Sequence, residues 1–243
     1  MKLLLNNAPD LKPVKMMCDV ELSPKLKEFP MLDNHFNKYN TSVFIGGMGS
    51  GKTSLMVNFV KDIYKKVFDK IYLIMPPSSR ASLQNNLFEK NLPRNQIYDE
   101  LNEDVINDLF QKVEVNTSKG LKSLIIYDDV QRALKDKYVL KTLKMMILNQ
   151  RHLKTTNFIM LQNWFGLDLS LREVINNAII FKVGKRQSTK IFEELVEVDK
   201  DVFQDIVGLV FEKQYDWLMI NINEKRMYKK FDEIVFETED DED

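Results

Sequence analysis

The sequence of 243 residues carries a formal net charge of −1, and 44% of its residues are hydrophobic. This length and apolar content are typical of one sizeable domain with a core of ordinary size. The balanced charge excludes a generally basic protein, although a locally positive surface could still bind nucleic acid. A single cysteine, Cys18, excludes an internal disulfide, and with only two histidines, His35 and His152, it argues against a structural zinc site.

All apolar segments of the sequence are short. The opening Met-Lys-Leu-Leu-Leu ends at Asn6 and Asn7, which is too short for the apolar core of a signal peptide. No run approaches the ~18 apolar residues that a membrane helix needs. The sequence therefore predicts a soluble protein of a reducing, intracellular compartment, with no membrane partner.

The first 40 residues show no clear periodicity. Their prolines predict an extended lead-in, with an edge strand near residues 14–22. From residue 41 onward, short apolar runs alternate with segments whose apolar residues recur every three or four positions, which indicates alternating strands and helices. We predict strands at residues 42–45, 70–75, 121–127, 156–161 and 178–183, and helices at residues 54–67, 99–113, 131–148, 188–196 and 199–210.

The C-terminal part of the sequence has a different pattern. Two β-rich runs, at residues 217–222 and 227–236, predict a hairpin that could extend the sheet at one edge. Residues 237–243 form an acidic tail that we expect to be disordered. The alternation of strands and helices implies right-handed crossovers, so we predict one α/β domain over residues 41–236, with a mostly parallel sheet flanked by helices, after a lead-in of residues 1–40.

A glycine-rich segment lies between the first predicted strand and the first predicted helix of this domain. It matches the phosphate-binding pattern G-x-x-x-x-G-K-[ST] with Gly46, Gly47, Met48, Gly49, Ser50, Gly51, Lys52 and Thr53. Glycines let the backbone curl so that its N–H groups point at phosphate oxygens, and the following helix adds its positive end. We expect this loop and Ser54 to bind ATP with Mg²⁺, Lys52 to reach the β- and γ-phosphates, and Thr53 to ligate the metal ion.

Two carboxylates, Asp128 and Asp129, end the strongly apolar strand predicted at residues 121–127. A buried strand with this ending is typical of the Walker B motif of P-loop proteins. We expect Asp128 to hold Mg²⁺, directly or through water, beside Thr53, and Asp129 to polarise the attacking water. An Asp-Asp pair is also common in a solvated turn after a strand, and the sequence leaves that alternative open.

A second polar strand end is found at Gln162, after the apolar strand predicted at residues 156–161. In P-loop NTPases of the additional-strand (RecA-like) type, a strand lies between the phosphate-loop strand and the Walker B strand, and the polar residue at its end faces the γ-phosphate. The glutamine amide can accept a hydrogen bond from water and donate one to phosphate, which suits that role. A helix cap or a loop amide is the alternative.

Two arginines could act across a subunit interface. Arg151 follows the helix predicted after the Walker B strand, and Arg172 follows Gln162. Either could contact a neighbouring subunit's γ-phosphate as an arginine finger, although a surface or salt-bridge role is the better expectation for any one of them. A basic patch of Lys182, Lys185 and Arg186 could bind DNA or could simply be a solvated face.

Together these residues resemble the genome-packaging ATPases of nucleocytoplasmic large DNA viruses and virophages, within the FtsK/HerA superfamily. The resemblance covers about residues 40–235, and it depends most on Gln162 at a strand end with Arg151 ahead of that strand. It implies a homo-oligomeric ring, usually of five or six subunits, that drives double-stranded DNA into a preformed capsid. It also implies capsid or other virion proteins as partners, and a location in the virion or the host-cell cytoplasm. Much of the superfamily has Glu where this chain has Asp129, which makes the base role of Asp129 less secure than the metal role of Asp128.

Two other classes of P-loop protein remain as alternatives. A nucleotide-dependent switch of the GTPase kind needs an Asn/Thr-Lys-x-Asp guanine motif on a late strand, and the sequence has none. A small-molecule kinase needs an arginine-rich lid, and no compact segment with several arginines is evident. The sequence therefore favours a DNA-translocating ATPase over either alternative.

Overall fold

The computed structural model contains one ten-stranded sheet, and it describes residues 2–6, 35–36, 39–63, 67–83, 87–196 and 199–237. The edge strand predicted near residues 14–22 lies outside these ranges, and so does the acidic tail predicted at residues 237–243, except for Glu237, which is the last residue of β10. The strands are β1 (Lys2–Asn6), β2 (Thr41–Ile45), β3 (Lys70–Ile74), β4 (Ile97–Tyr98), β5 (Ser123–Asp128), β6 (Thr155–Leu161), β7 (Asn177–Phe181), β8 (Trp217–Asn221), β9 (Arg226–Lys229) and β10 (Asp232–Glu237).

Helices connect most of these strands. The first one continues as a π-helix over Phe59–Ile63, and short 3₁₀ turns occupy Arg94–Gln96, Ala133–Lys135 and Trp164–Gly166. The α-helices are α1 (Lys52–Asn58), α2 (Pro77–Ala81), α3 (Leu87–Asn91), α4 (Glu103–Ser118), α5 (Lys137–Leu148), α6 (Leu169–Arg172), α7 (Lys185–Leu195) and α8 (Lys200–Val210).

The strand order is β1-β10-β9-β8-β7-β2-β6-β5-β3-β4. The six strands from β7 to β4 pair in parallel, whereas β8, β9, β10 and β1 pair antiparallel and extend one edge. The predicted mostly parallel sheet is thus confirmed. β6 lies between β2 and β5, so the predicted additional strand between the phosphate-loop strand and the Walker B strand is confirmed as well.

Side chains of the parallel strands alternate between two buried faces, as strands covered on both sides require. In β2, Val43 and Ile45 belong to the core shared with α4, α5, α7 and α8, and Phe44 belongs to the core on the other face. On that second face, the Phe59 ring packs 5.8 Å from the Phe44 ring and 6.1 Å from the Trp217 ring, measured between centroids. These contacts anchor α1 and the loop that precedes it to the sheet.

Two helices begin later than the sequence predicted. α4 begins at Glu103 rather than at residue 99, because the Asn102 side chain accepts a hydrogen bond from Val105 N–H and caps the helix there. Asp99 is instead held outside the helix by a 2.7 Å ion pair with Arg80. Likewise, the helix predicted from residue 131 begins at Lys137, where the Asp136 side chain provides the cap.

The C-terminal strands also differ in detail from the prediction. The β-rich run at residues 227–236 forms two strands, β9 and β10, because Lys230 adopts a left-handed conformation with φ of 60° in a tight turn. β8 and β9 form the predicted hairpin at the sheet edge. β1, which the sequence did not predict, pairs with β10 and forms the outermost strand. Its apolar run is too short to predict a strand by itself, and it forms one by pairing with β10.

Candidate functional site

The carboxyl ends of the parallel strands collect the residues that the sequence analysis selected. The glycine-rich loop follows β2, Asp128 is the last residue of β5, and Gln162 directly follows β6. Because β6 pairs with both β2 and β5, Gln162 lies between the loop and the aspartates. A cleft of about 340 Å³, called here the first cleft, is lined by Met48, Gly49, Lys52, Thr53, Ser54, Ser79, Ser82, Leu83, Asp128, Asp129, Met160, Leu161 and Gln162.

The glycines of the loop are required by its geometry at two points. Gly51, which precedes α1, has φ of 98°, a left-handed conformation that other residues rarely adopt. At Gly46, a Cβ atom would lie 2.6 Å from Ser50 Oγ and 2.8 Å from the Phe181 Cβ at the end of β7. The loop therefore curls against β7 in a way that a side chain at Gly46 would prevent.

Lys52 is folded back onto the loop that it follows. Its ammonium group donates hydrogen bonds to the carbonyl oxygens of Gly46 and, at 2.8 Å, of Gly47. Burial lowers the pKa of this lysine, while the nearby carboxylates of Asp128 and Asp129 oppose that effect. A neutral carbonyl oxygen is a weaker acceptor for an ammonium group than an anionic phosphate, so Lys52 can move from the loop carbonyls to a bound phosphate.

Asp128, at the end of β5, and Thr53, at the end of the loop, line the same cleft. Burial, with the neighbouring Asp129 charge, raises the pKa of Asp128 to about 6, and Lys52 limits the rise. A hydroxyl and a carboxylate are the hard oxygen ligands that suit Mg²⁺, which usually takes few protein ligands and completes its shell with phosphate oxygens and water. The described residues contain no group of three or more His, Cys, Asp or Glu that could hold a metal ion. The oxygen atoms of Thr53 and Asp128 are of the kind that fits a Mg²⁺ ion shared with phosphate.

Asp129 and Gln162 are exposed at the mouth of the first cleft. Asp129 has φ of 54°, a conformation that aspartate tolerates better than most residues and that turns the chain sharply after β5. The Gln162 amide nitrogen lies 3.5 Å from the Asp129 carboxylate, at the limit of a hydrogen bond. The carboxylate and the amide can therefore contact one water molecule together.

Arg151 lies at the amino ends of the parallel strands, opposite the carboxyl ends that form the first cleft. It sits in the turn before β6, and the seven residues of β6 separate it from Gln162 by roughly 20 Å at ~3.3 Å per residue. The preceding Gln150 is buried, and its side chain is fixed by 2.8 Å hydrogen bonds with Thr41 and Asn176. The Arg151 side chain is exposed and makes no hydrogen bond or ion pair within the described part of the chain. The turn therefore has a fixed backbone, and the Arg151 guanidinium on it is exposed to solvent, far from the first cleft of its own chain.

The side chain of Arg172, the second candidate arginine, forms hydrogen bonds and an ion pair within its own chain. Its guanidinium donates to both Glu194 carboxylate oxygens at 3.0 Å, to Leu167 O at 2.9 Å and to Trp164 O at 3.2 Å. It also lies 4.9 Å from the centroid of the Trp164 ring. These contacts support the salt-bridge role that the sequence analysis held as the better expectation, and they count against Arg172 as an arginine finger.

The comparison with known families agrees with this site. A family model described as "Poxvirus A32 protein" matches residues 28–243, which is most of the chain. The chain belongs to the poxvirus A32 protein family. The resemblance to viral genome-packaging ATPases, stated above from the site motifs, is thereby confirmed. No curated protein matches the sequence significantly.

Solved structures show where else this fold occurs. The genome packaging NTPase B204 from Sulfolobus turreted icosahedral virus 2, in complex with ATP-gammaS, is similar with a TM-score of 0.63 and 17% identity, covering 84% of the A32-family chain and 100% of its own. B204 from Sulfolobus turreted icosahedral virus, called a DNA-packaging ATPase, gives 0.61 and 17%, with coverage of 83% and 100%. The type VII secretion ATPase EccC of Thermomonospora curvata gives 0.51 and 10%, with coverage of 81% and 23%. At these identities the likeness shows a shared P-loop NTPase fold.

The structure adds residues to the site that the sequence analysis of this A32-family chain missed. Ser79, Ser82 and Leu83, after β3, line the first cleft. Their position could have been predicted, because β3 is parallel to β5 and its carboxyl end lies at the same sheet edge. Tyr215 lines a second cleft on the other side of the loop. It belongs to no motif, and only the antiparallel pairing of β8 with β7 brings it there.

The remaining features concern surfaces. Lys182, Lys185 and Arg186 are exposed after β7, at the same sheet edge as the cleft, and the Arg186 guanidinium lies 5.4 Å from the Phe165 ring centroid. In the ranges that the structure describes, no helix is long and apolar enough to cross a membrane.

Proposed function

We propose that this A32-family chain is an ATP-driven motor that moves double-stranded DNA into a preformed capsid. The observation that carries the proposal is the first cleft, where Lys52, Thr53, Asp128, Asp129 and Gln162 come together at one sheet edge. Membership of the poxvirus A32 family supports the packaging role. The structures named above as packaging NTPases share the fold and bind an ATP analogue in one case.

In this proposal each residue of the first cleft has one task in hydrolysis. Lys52 leaves the loop carbonyls and pairs with the β- and γ-phosphate oxygens, while the loop N–H groups hold the phosphates in line. Asp129 accepts a hydrogen bond from the attacking water, and Gln162 orients that water between Asp129 and the γ-phosphate. Thr53 and Asp128 would hold Mg²⁺, which would neutralise the charge that develops on the phosphate oxygens.

The proposed motor is a homo-oligomeric ring. The cleft lies at the carboxyl ends of the parallel strands and Arg151 at their amino ends. No arginine is among the described residues that line the first cleft, and the Arg151 of a neighbouring subunit could supply one. Positive charge at Lys182, Lys185 and Arg186 is one candidate surface for the DNA backbone. Capsid or other virion proteins would be further partners, and the virion or the host-cell cytoplasm would be the location.

The test of the motor is its response to DNA. Phosphate release from ATP and from GTP is measured with the full chain, without nucleic acid and with long double-stranded DNA over a range of salt concentrations. We expect ATP hydrolysis to rise several-fold with DNA and the stimulation to weaken as salt increases, because contacts with the DNA backbone release counterions. A rate that DNA leaves unchanged at low salt would instead favour the alternative, a nucleotide-dependent switch or another P-loop ATPase that does not act on DNA.

The nucleotide site itself is tested separately by Lys52→Ala. This variant removes the one side-chain charge that faces the β- and γ-phosphates, so hydrolysis should be abolished and ATP binding strongly weakened. The matched control is Lys141→Ala, which removes an exposed lysine on α5 away from both clefts. Wild-type turnover in purified Lys52→Ala protein would refute the assignment of the site.

A further inference from the structure

A second cleft adjoins the phosphate loop on the side away from the aspartates. It has a volume of about 330 Å³ and is lined by residues 49–54 and, beyond the loop, by Tyr215. Gly49, Lys52, Thr53 and Ser54 line both clefts, so the loop forms the wall between them. Among the described residues that line the two clefts, Tyr215 is the only aromatic one.

The topology of the sheet explains why Tyr215 reaches the loop. β8 pairs antiparallel with β7, and Trp217 at the start of β8 is opposite Phe181 at the end of β7. Residues 211–216 therefore enter the sheet at the edge where the parallel strands end. Phe181 also lies against Gly46, so the turn before β8 and the phosphate loop are neighbours.

The turn that carries Tyr215 is held firmly. The Asp216 side chain is 2% exposed, and it accepts hydrogen bonds from Lys213 N–H and from the Lys230 ammonium group, both at 2.7 Å. Tyr215 itself has φ of 68°, a strained conformation for a residue with a Cβ atom. The residue is 44% exposed, and no described residue forms a hydrogen bond with its hydroxyl. The fold thus fixes the backbone at Tyr215, and the partly exposed ring lies beside the phosphate loop.

We propose that Tyr215 is the residue that contacts the base of the bound nucleotide, with its ring stacked on the base. The inference rests on the proposed function, because it takes the γ-phosphate to lie in the first cleft beside Asp128, Asp129 and Gln162. A triphosphate chain threaded through the loop then leaves it past Thr53 and Ser54, and the ribose and base enter the second cleft. A planar aromatic ring is the side chain that suits a base, since every base offers a π-face.

Stacking of this kind makes Tyr215 a contact that does not distinguish purines. The ring recognises the face of the base and not its polar edge, so ATP and GTP should gain similarly from it. Inorganic triphosphate has no base and should gain nothing. A loss of affinity for ATP and GTP but not for inorganic triphosphate therefore indicates a contact with the base, whereas a loss for all three indicates an effect on the phosphate loop.

The experiment measures binding of ATP, GTP and inorganic triphosphate by calorimetry, with Mg²⁺ present, to the full chain and its variants. Tyr215→Leu keeps an apolar side chain without the aromatic ring, and we expect about ten-fold weaker ATP and GTP binding with unchanged triphosphate binding. Tyr215→Phe keeps the ring and should bind all three ligands like the wild type. Tyr138→Ala is the matched control, because Tyr138 is 45% exposed and lines neither cleft.

Each other outcome has a distinct meaning. Wild-type ATP binding by Tyr215→Leu overturns the base contact but leaves the proposed function intact. Equal losses for ATP and inorganic triphosphate also overturn it, because Tyr215 would then act through the loop. If Lys52→Ala binds ATP as the wild type does, the proposed nucleotide site fails, whatever the Tyr215 variants do.

Discussion

At the scale of single residues, two adjacent aspartates have different surroundings. Asp128 is partly buried at the end of β5, and its pKa is raised to about 6. Asp129 is exposed, and its left-handed backbone directs the chain away from β5. A partly buried carboxylate beside a lysine and a hydroxyl suits metal binding, whereas an exposed carboxylate beside Gln162 suits contact with water.

Asp129→Asn tests this division of tasks. The amide cannot accept a proton from water, but the Asp128 carboxylate and the phosphate loop remain. We expect ATP affinity close to that of the wild type and hydrolysis slowed by about 10²-fold or more. Binding by calorimetry and single-turnover hydrolysis would measure the two effects. Full turnover in this variant would mean that another group polarises the water.

Asp128→Asn tests the cost of burying the metal ligand. In the folded chain the pKa of Asp128 lies above its usual value of 3.8, so the folded state holds a proton more tightly than the unfolded state does. Stability contributed by that proton is present at low pH and is lost as the pH rises from about 4 to about 6. Without metal or nucleotide, Asp128→Asn should therefore be more stable than the wild type at pH 7.5, by roughly 1–3 kcal/mol.

The measurement is urea unfolding in EDTA at several pH values. The stability gained by Asp128→Asn should shrink as the pH falls towards 4, where the wild-type carboxyl is protonated. Asp205→Asn, which changes an exposed carboxylate on α8 away from both clefts, serves as the control and should show a much smaller gain. A stability difference between Asp128→Asn and the wild type that does not change with pH would contradict the assigned cause.

At the scale of elements, Arg172 joins three segments behind the first cleft. It links the 3₁₀ turn Trp164–Gly166, which follows Gln162, to α6 and to Glu194 on α7. Trp164 adds a 2.6 Å hydrogen bond from its indole nitrogen to Glu194. This cluster holds the chain that leaves β6, and it thereby supports the position of Gln162.

Arg172→Ala should destabilise the fold by about 2–3 kcal/mol, because it leaves two carbonyl oxygens and a mostly buried Glu194 with fewer partners. Lys190, which lies 3.6 Å from Glu194, limits the loss. Arg151→Ala, an exposed position, should stay within ~0.5 kcal/mol of the wild type. Urea unfolding of the two variants makes the comparison. A stable Arg172→Ala protein that hydrolyses ATP poorly only when assembled would return Arg172 to the list of candidate arginine fingers.

At the scale of the whole molecule, the two ends of the parallel strands carry complementary parts of one proposed active site. The cleft lies where the parallel strands end, and Arg151 lies where β6 begins. Because a rigid sheet separates them, Arg151 cannot reach the cleft of its own chain. In a ring, the amino ends of one subunit's parallel strands could face the carboxyl ends of its neighbour's, which would bring Arg151 to the neighbour's cleft.

Arg151→Ala should leave ATP binding nearly intact and reduce hydrolysis only in assembled protein. An arginine supplied in trans can be worth ~10³-fold or more in rate. The decisive measurement mixes inactive Arg151→Ala subunits with inactive Lys52→Ala subunits. Some activity should return, since an intact Arg151 can then meet an intact phosphate loop across an interface. Mixtures shown by mass to contain both subunits but lacking activity would argue that Arg151 does not act in trans.

Much of this architecture was predictable from local patterns. The longer strands and helices between residues 41 and 210, the phosphate loop, and the polar strand ends at Asp128 and Gln162 are each encoded within a few consecutive residues. The short elements β4, α2, α3 and α6 were not predicted. Parallel strands also place their carboxyl ends at one edge, so the meeting of these residues followed from the predicted fold. Errors at the starts of α4 and α5 arose because the caps, Asn102 and Asp136, lie inside the predicted periodic segments.

Other features were decided only by contacts between distant segments. β1 is a short apolar run that becomes a strand because β10, more than two hundred residues away, offers it an edge. Arg151 and Arg172 look alike in the sequence, and only the positions of Glu194 and Trp164 make one structural while the other stays free. Tyr215 reaches the phosphate loop because β8 runs antiparallel to β7. The sequence by itself determined the motifs, since their chemistry is local, whereas the tertiary structure decided which side chains are bound and which are free, because that depends on neighbours that no local pattern specifies.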